Sequence, residues 1–534
     1  MTIGVGGSTA DQEMAGLSRQ TGYVPISPDE RQGRIANAQR LMVEQGIDAL
    51  YLDASTSLFY FTGLRLWATE RLHGAVIPAR GELIYITPGF EEEKTRAMLL
   101  FGDQIRTWEE HEDPTVLVAQ CIAGATDAQP RVAVDPATPF FVFDGLRRAM
   151  PQAEFLNGTC ITAGCRMQKS ANEIALIQFA MNLTLKVHQS AARILEAGMS
   201  TVDVQAFLTA AHLKLGTDGP PPFRIVLFGE PTAYPHGVPY PQELKEGDMV
   251  LIDTGATVDG YFSDITRTYV FGEPSKRQRE VWDLEKAAQA AAFAAAKVGV
   301  PAESVDRAAR DVIEAAGFGP GYQVPGLAHR TGHGIGLDIH EETYIVPGNT
   351  TALLPGMCFS NEPMICIYGE FGVRLEDRRA VLRREHRHVQ RSIAAQRAVR
   401  AVPVGDPPVG PRLRRRHGSH VLRPPREAVP EEAHALADRH AVRGVRDEER
   451  LVRFPKMGNA HSPVLLHLDL LPHRLEHLLL LRNPGLEDLA LRVRGGVDDV
   501  VVRAGVDDPG GSCVSSQSCA GLRAFPARVF RLPG

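Results

Sequence analysis

Two stretches of this chain share one plan: an apolar strand-like run, a tight bend and a second run, with an acidic residue on each arm. In VLIDTGATVDGYFSDITRT the bend falls at Val258 to Gly260, flanked by Asp253 and Asp264. In MCFSNEPMICI and FGVRLED the bend is Tyr368-Gly369-Glu370, and Glu362 and Glu376 lie at matched distances from it. Antiparallel pairing about such bends brings the flanking residues close to opposition, so each stretch predicts a hairpin whose two carboxylates reach a common ion. Aspartate is also a plain turn former. That explanation suits Asp259, inside the bend, and fails for Asp253, at the end of an apolar strand.

Between the hairpins lies HRTGHGIGLDIHE, in which His329, His333 and His340 alternate with Gly332, Gly334 and Gly336. A lone histidine is more often structural than catalytic, but three so close together, beside glycines that admit near backbone approach, point to a site. One imidazole suffices as a ligand; the others can donate hydrogen bonds to a carbonyl or its tetrahedral oxyanion. His236, in AYPHGVP, stands 17 residues before Asp253, in a loop able to close over the site, although alone it reads as a turn histidine. The set Asp253, Asp264, His333, Glu362 and Glu376 suits two divalent ions about 3.5 to 4 Å apart that share a hydroxide. Its oxygen-rich chemistry favours manganese first, then cobalt, iron or zinc, and the absence of cysteine speaks against structural zinc.

At 534 residues the chain exceeds one ordinary core. After an N-terminal extension, 1–30, residues 31–165 alternate a helix, RIANAQRLMVEQGI, with the strands DALYLD, GAVIPA, ELIYIT and RVAVD, which predicts an α/β domain. A second domain, 166–377, opens on a long helix with a Ser170/Glu173 capping box that ends by Gly198. Three more helical runs follow, and the polar motifs sit on hairpins, an α+β layout. The seven scattered cysteines read as buried free thiols rather than disulfides, and Cys160 with Cys165 lacks the second ligand pair of a zinc site. No window approaches the roughly 18 apolar residues of a membrane span, and the N-terminus lacks a basic region followed by an apolar one, so a cytoplasmic protein is expected.

The composition breaks after Asp377. Residues 378–534 hold 27 Arg and one Lys against 17 acidic residues, a net charge of +11, which leaves −17 on the first 377 because the whole chain carries −6. A basic tail is the footprint of a nucleic-acid arm, but such arms mix Lys with Arg, and this segment also carries Leu-rich runs such as LPHRLEHLLLLRNPGLEDLALRV. Nucleic acid is therefore not expected as a partner. Arginine without lysine is what a GC-rich gene yields when read one base out of phase, so 378–534 is expected to be a frameshifted, non-native and irregular segment; a genuine third domain is the alternative.

From about residue 166 to 377 the motifs quoted above resemble the catalytic domain of the pita-bread metallopeptidases, family M24, and the preceding domain resembles their creatinase-type N-terminal domain. The two-domain form is most similar to Xaa-Pro aminopeptidases and Xaa-Pro dipeptidases (prolidases). The resemblance implies that Asp253 binds one metal, that Asp264 and Glu376 bridge both, and that His333 and Glu362 complete the other. It matches His236 and His340 to substrate and transition-state histidines, His329 to the histidine that begins the third motif and contacts substrate, and Arg374 to the arginine beside the last ligand. Glu362 would also carry the proton from the bridging water to the leaving proline nitrogen. The implied activity is hydrolysis of Xaa-Pro bonds in proline-containing peptides by a metal-bridging hydroxide, in a homodimer or homotetramer.

Creatinase, a metal-free relative, lacks the five ligands, and a dimethylsulfoniopropionate lyase would want a further acid beside Asp253, where Thr254 and Gly255 follow. A non-peptidase relative such as that lyase stays an alternative, and the rival from another class is a pseudoenzyme or binding scaffold with a basic tail. The sequence departs from the family immediately after Glu376, where RRAVLRREHRHVQ follows Asp377. A ligand displaced by about 1 Å can cost on the order of a hundredfold in rate. A chain with this ending is therefore expected to be less stable or less active than one with an ordinary ending.

Overall fold

The computed structural model describes residues 5–124 and 129–381, together with five short strands between Leu451 and Gly505. The chain divides into two compact units, Met1–Val409 and Gly410–Gly534. In the second, Leu451–Val452, Ala490–Arg494 and Val501–Gly505 form an antiparallel sheet, and Val464–Leu466 pairs with Leu479–Leu481. The expectation of an irregular 378–534 otherwise falls outside the described residues.

The N-terminal part of the first unit is built on helix Pro28–Gln45, which starts where the Ser27 hydroxyl accepts from the Glu30 amide and ends at Gly46 in the left-handed region. Its six-stranded sheet runs Ile105–Trp108, Ile84–Pro88, Gly74–Pro78, Ala49–Asp53, Arg131–Val134, Glu154–Asn157. The Gly74–Pro78 strand is antiparallel to both neighbours, and the remaining pairs are parallel. Strand alternation sorts Tyr51, Val76, Ile86 and Val132 into a core with Val118, Ile122, Val142 and Leu146 from helices Pro114–Ala123 and Phe140–Ala149. Leu50, Leu52, Ile77 and Tyr85 join the other core with Ala38 and Met42 of the first helix. The edge strands Ile105–Trp108 and Glu154–Asn157 were not expected from the sequence; each has four residues and carries polar or half-exposed side chains.

The second part opens on helix Ala171–Ile194 with both halves of the expected capping box: the Glu173 amide donates to Ser170 Oγ at 3.1 Å, and the Ser170 amide to Glu173 Oε2 at 2.8 Å. Helices Thr201–Leu215, Lys276–Ala295 and Ala302–Ala315 match the expected runs. Met249–Thr254 lies between Arg224–Phe228 and Ile265–Val270 in an antiparallel sheet, and Asp253 is in register with Thr266. At its tip Val258 pairs with Tyr261 across Asp259 and Gly260, whose φ values of 49° and 82° are those of the two-residue turn that an Asp-Gly pair suits.

The second hairpin is a ladder with a gap. Met364–Ile367 pairs with Phe371–Arg374, and Cys358–Asn361 pairs with Asp377–Ala380. Between the two ladders, Glu362 and Pro363 face Leu375 and Glu376 with no pairing, as a proline without an amide hydrogen requires. The sheet thus continues past residue 377 as far as Ala380. Glu341–Ile345 and Gly332–Gly334 complete this sheet. Val281, Ala288, Val305, Ala309 and Ile313 of the two outer helices cover the hairpin from behind, against Leu251, Met364, Ile365 and Val373.

Cys165, Cys358 and Cys366 are free and buried as expected, but Cys121 is half-buried and Cys160 exposed, because both lie on solvent-facing helix positions. No helix among the described residues is long and apolar enough to cross a membrane.

Candidate metal centre

The ladder gap and the first hairpin place their acidic residues in one buried pocket. Asp264, His333 and Glu376 each present an atom within 4.8 Å of the others. His333 Nε2 lies 3.8 Å from Asp264 Oδ2 and 2.9 Å from Glu362 Oε1. Asp253 is not one of that trio; Arg374 Nη2 holds its Oδ2 at 2.7 Å, and both Asp264 and Glu362 bear on its carboxyl within the same charge cluster.

The donor chemistry fits a divalent cation. His333 Nδ1 lies 2.9 Å from the Gly334 carbonyl, so in the neutral ring that nitrogen carries the proton and Nε2 presents a lone pair. That lone pair faces a Glu362 oxygen, an arrangement only a proton or cation can reconcile. Asp253 Oδ1 and Asp264 Oδ1 are buried without a hydrogen-bond partner, acceptors that a cation would satisfy, and Glu376 Oε1 faces only the Arg378 guanidinium.

Burial disfavours every charge here. It lifts Asp253, drives Asp264 well above the carboxylate range and pushes Glu376 up to about 8, where repulsion from Glu362 adds to it. Burial opposes Glu362 as well, but His333 outweighs it and holds that carboxyl well below its usual value. Burial lowers His329 and His340 to about 4, so both are neutral near pH 7.

The other three histidines surround the cluster. The His340 ring packs 4.1 Å from that of His333, tilted by 60°. His329 donates from Nδ1 to the Arg330 carbonyl at 2.7 Å, and its Nε2 is buried without a partner. His236 is exposed on the turn after Pro235, whose carbonyl accepts from Arg374 Nη1 at 3.0 Å. Arg374 has little left to offer a substrate: its other nitrogens reach Thr266 Oγ1 at 3.0 Å and Asp253. It joins the histidine loop to both hairpins.

Sequence reasoning missed the groups that brace the pocket. Thr266 Oγ1 donates to Glu376 Oε2 at 2.8 Å, and the Glu376 amide donates to the Thr266 carbonyl. Ser360 Oγ accepts from the His333 amide and donates to Glu362 Oε1, both at 2.8 Å. Arg378 reaches Asp264 and Glu376. Each lies two residues along an extended run from a candidate ligand, Asp264, Glu362 or Glu376, that stands just outside its strand, so the period of two was the available signal. Glu285 and Gln289, which hold the Leu375 amide and carbonyl from the helix behind, left no such trace.

The loop carrying His340 is pinned from below. Glu341 accepts from Arg166 at 2.5 Å, Lys169 at 2.9 Å and the Leu337 and Asp338 amides. Burial raises the Glu341 carboxyl, yet the two cations bring it down to about 2.

Comparison with known proteins decides the family. The profile of Metallopeptidase family M24 matches residues 175–382, and that of the Creatinase/Prolidase N-terminal domain matches 34–168. The probable dipeptidase PepE of Mycobacterium bovis is 37% identical over 347 residues, 64% of this chain and 90% of that protein.

The chain belongs to metallopeptidase family M24.

The Xaa-Pro dipeptidase of Lactobacillus helveticus is 32% identical, covering 64% of this chain and 91% of its own. Among solved structures, dipeptidase PepE from Mycobacterium ulcerans superposes with a TM-score of 0.63 at 33% identity, over 67% of this chain and 95% of that one. Prolidase from Thermococcus sibiricus gives 0.61 at 31% identity, over 66% and 94%. In this M24 chain the family match runs to residue 382, just past the strand Asp377–Ala380 that closes the sheet beside Glu376.

Proposed function

We propose that this M24 chain is a dinuclear-metal exopeptidase that hydrolyses Xaa-Pro bonds, with Asp253, Asp264, His333, Glu362 and Glu376 as ligands and manganese as the first metal to try. The observation that carries the reading is the convergence of Asp264, His333 and Glu376 within 4.8 Å, beside orphaned buried carboxylate oxygens. When bound, two divalent ions would supply a water ionised near neutral pH and a Lewis acid for the scissile carbonyl.

The chain's own residues do the rest. Glu362 is oriented by the Ser360 hydroxyl, so it can accept the water proton and pass it to the departing proline nitrogen. His340, neutral, flanks the cluster where it can donate to the carbonyl oxygen as it gains charge, whereas neutral His329 gives its one proton to the Arg330 carbonyl and turns Nε2 towards the site as an acceptor. His236 lies at the exposed side, suited to the substrate's carboxyl end. Arg374 acts as a positioning residue: it fixes Asp253 and the loop that presents His236. The names of the similar proteins favour dipeptides over longer peptides.

The test is metal content by mass spectrometry, with hydrolysis of one Xaa-Pro dipeptide and one Xaa-Pro tripeptide. Metal-dependent turnover of the dipeptide is expected, and its loss in Glu362→Gln. No metal and no turnover would leave a scaffold that uses the fold for binding, and tripeptide preference would make the enzyme an aminopeptidase.

A further inference from the structure

The first residue of the arginine-rich segment reaches into the candidate metal centre. Arg378 sits on strand Asp377–Ala380, in register with Ser360, and its side chain is 5% exposed. Its Nε donates to the Asp264 carbonyl at 3.1 Å. Its Nη2 lies against the Asp264 carboxylate and 2.9 Å from Glu376 Oε1. Asp264 and Glu376 are two members of the trio that converges with His333. Neither Nη1 nor Nη2 makes a well-directed hydrogen bond. The contact is one of charge, without the forked geometry that makes a guanidinium and a carboxylate a matched pair.

A guanidinium does not lose its proton at any pH a protein tolerates, so this cation cannot withdraw by titration. It places a fixed positive charge against the oxygens that the proposed metals would share. We propose that Arg378 is an internal counter-cation that competes with divalent metal for Asp264 and Glu376, so that metal loading requires its guanidinium to leave the pocket. The chain therefore holds its carboxylate cluster together without metal and binds metal more weakly than the same site would without this arginine. This inference rests on the metal reading of the site given above.

The experiment compares the full chain with Arg378→Met, which keeps a buried unbranched stem, and Arg378→Lys, which keeps a charge on a shorter reach. Manganese affinity and stoichiometry are read by calorimetry on EDTA-stripped protein, and unfolding midpoints are read in EDTA and in manganese. Arg378→Met is expected to bind manganese at least about tenfold more tightly, and Arg378→Lys to fall between it and the parent. The gap between the two midpoints should widen in Arg378→Met, because its metal-free Asp264 and Glu376 lose the guanidinium that lies against them. If Arg378→Met folds only with manganese present, the arginine has been shown to replace the metal in holding the cluster. Equal affinity in all three chains overturns the role of Arg378 and leaves the metal site standing. Manganese binding by none of them, or binding unaffected by Asp264→Asn, overturns the metal reading itself.

Discussion

Arg374→Met isolates what one buried guanidinium contributes to the site. Arg374 is 3% exposed and holds Asp253 Oδ2 at 2.7 Å, Thr266 Oγ1 at 3.0 Å and the Pro235 carbonyl at 3.0 Å. Methionine fills much of the stem volume but leaves Asp253 buried among Glu362 and Asp264 with no close cation. Removing one partner of a buried ion pair costs about 3 to 5 kcal/mol, most of it from the stranded charge. The freed Pro235 carbonyl lies nearer solvent and adds little. A divalent ion at Asp253 would supply the missing charge, so at saturating manganese the loss should shrink to roughly the 1 to 3 kcal/mol of the remaining unmade hydrogen bonds. The assay is urea unfolding of parent and variant, once in EDTA and once in manganese. A loss below about 1 kcal/mol in EDTA, or the same loss in both conditions, would refute the argument that Arg374 acts by neutralising Asp253.

Thr266→Val keeps shape and removes the hydroxyl that joins Arg374 to Glu376; it should cost about 1 to 3 kcal/mol and weaken manganese binding, and unchanged binding measured by calorimetry would place Thr266 outside the site. Glu13 is held down to about 2 by its hydrogen bonds from Arg193, so this tie is intact above the ordinary value of 4.5 and is lost as pH falls towards 2. Pepsin cleavage within residues 10–16 should accelerate over that interval, and Glu13→Gln should be cut fast throughout; equal rates in both chains would dismiss the tie. Independent sequencing of the gene beyond codon 382, where the family match stops, is expected to restore an ordinary ending in another frame, whereas the same open frame would establish the arginine-rich segment as the true continuation.

The local parts of this fold were legible because local rules specify them. The Asp259-Gly260 turn, the Ser170/Glu173 capping box and the apolar strand Met249–Thr254 each follow from a few adjacent residues. Both hairpins were readable for that reason, and with them the meeting of Asp264 and Glu376 with His333. Strands Ile105–Trp108 and Glu154–Asn157 escaped because their place comes from sheet edges supplied by distant residues. The same holds for Glu285 and Gln289, which touch Leu375 across 90 and 86 residues of chain. Arg378 was seen only as composition; its position two residues beyond Glu376, on the strand that begins at Asp377, was the overlooked clue.

The tip of the first hairpin is gripped from the N-terminal side. Asp259 accepts the Ile26 amide at 3.0 Å, Tyr261 bonds both Arg34 and Glu173 through its hydroxyl, and a side chain at Gly260 would meet Arg65. The strands that carry Asp253 and Asp264 are therefore one lever with its handle in the neighbouring domain. Severing the chain near residue 166 would leave the catalytic half with Glu173 buried beside an empty socket and its hairpin tip unsupported. The two family profiles meet between residues 168 and 175, yet mechanically the two folds are a single part.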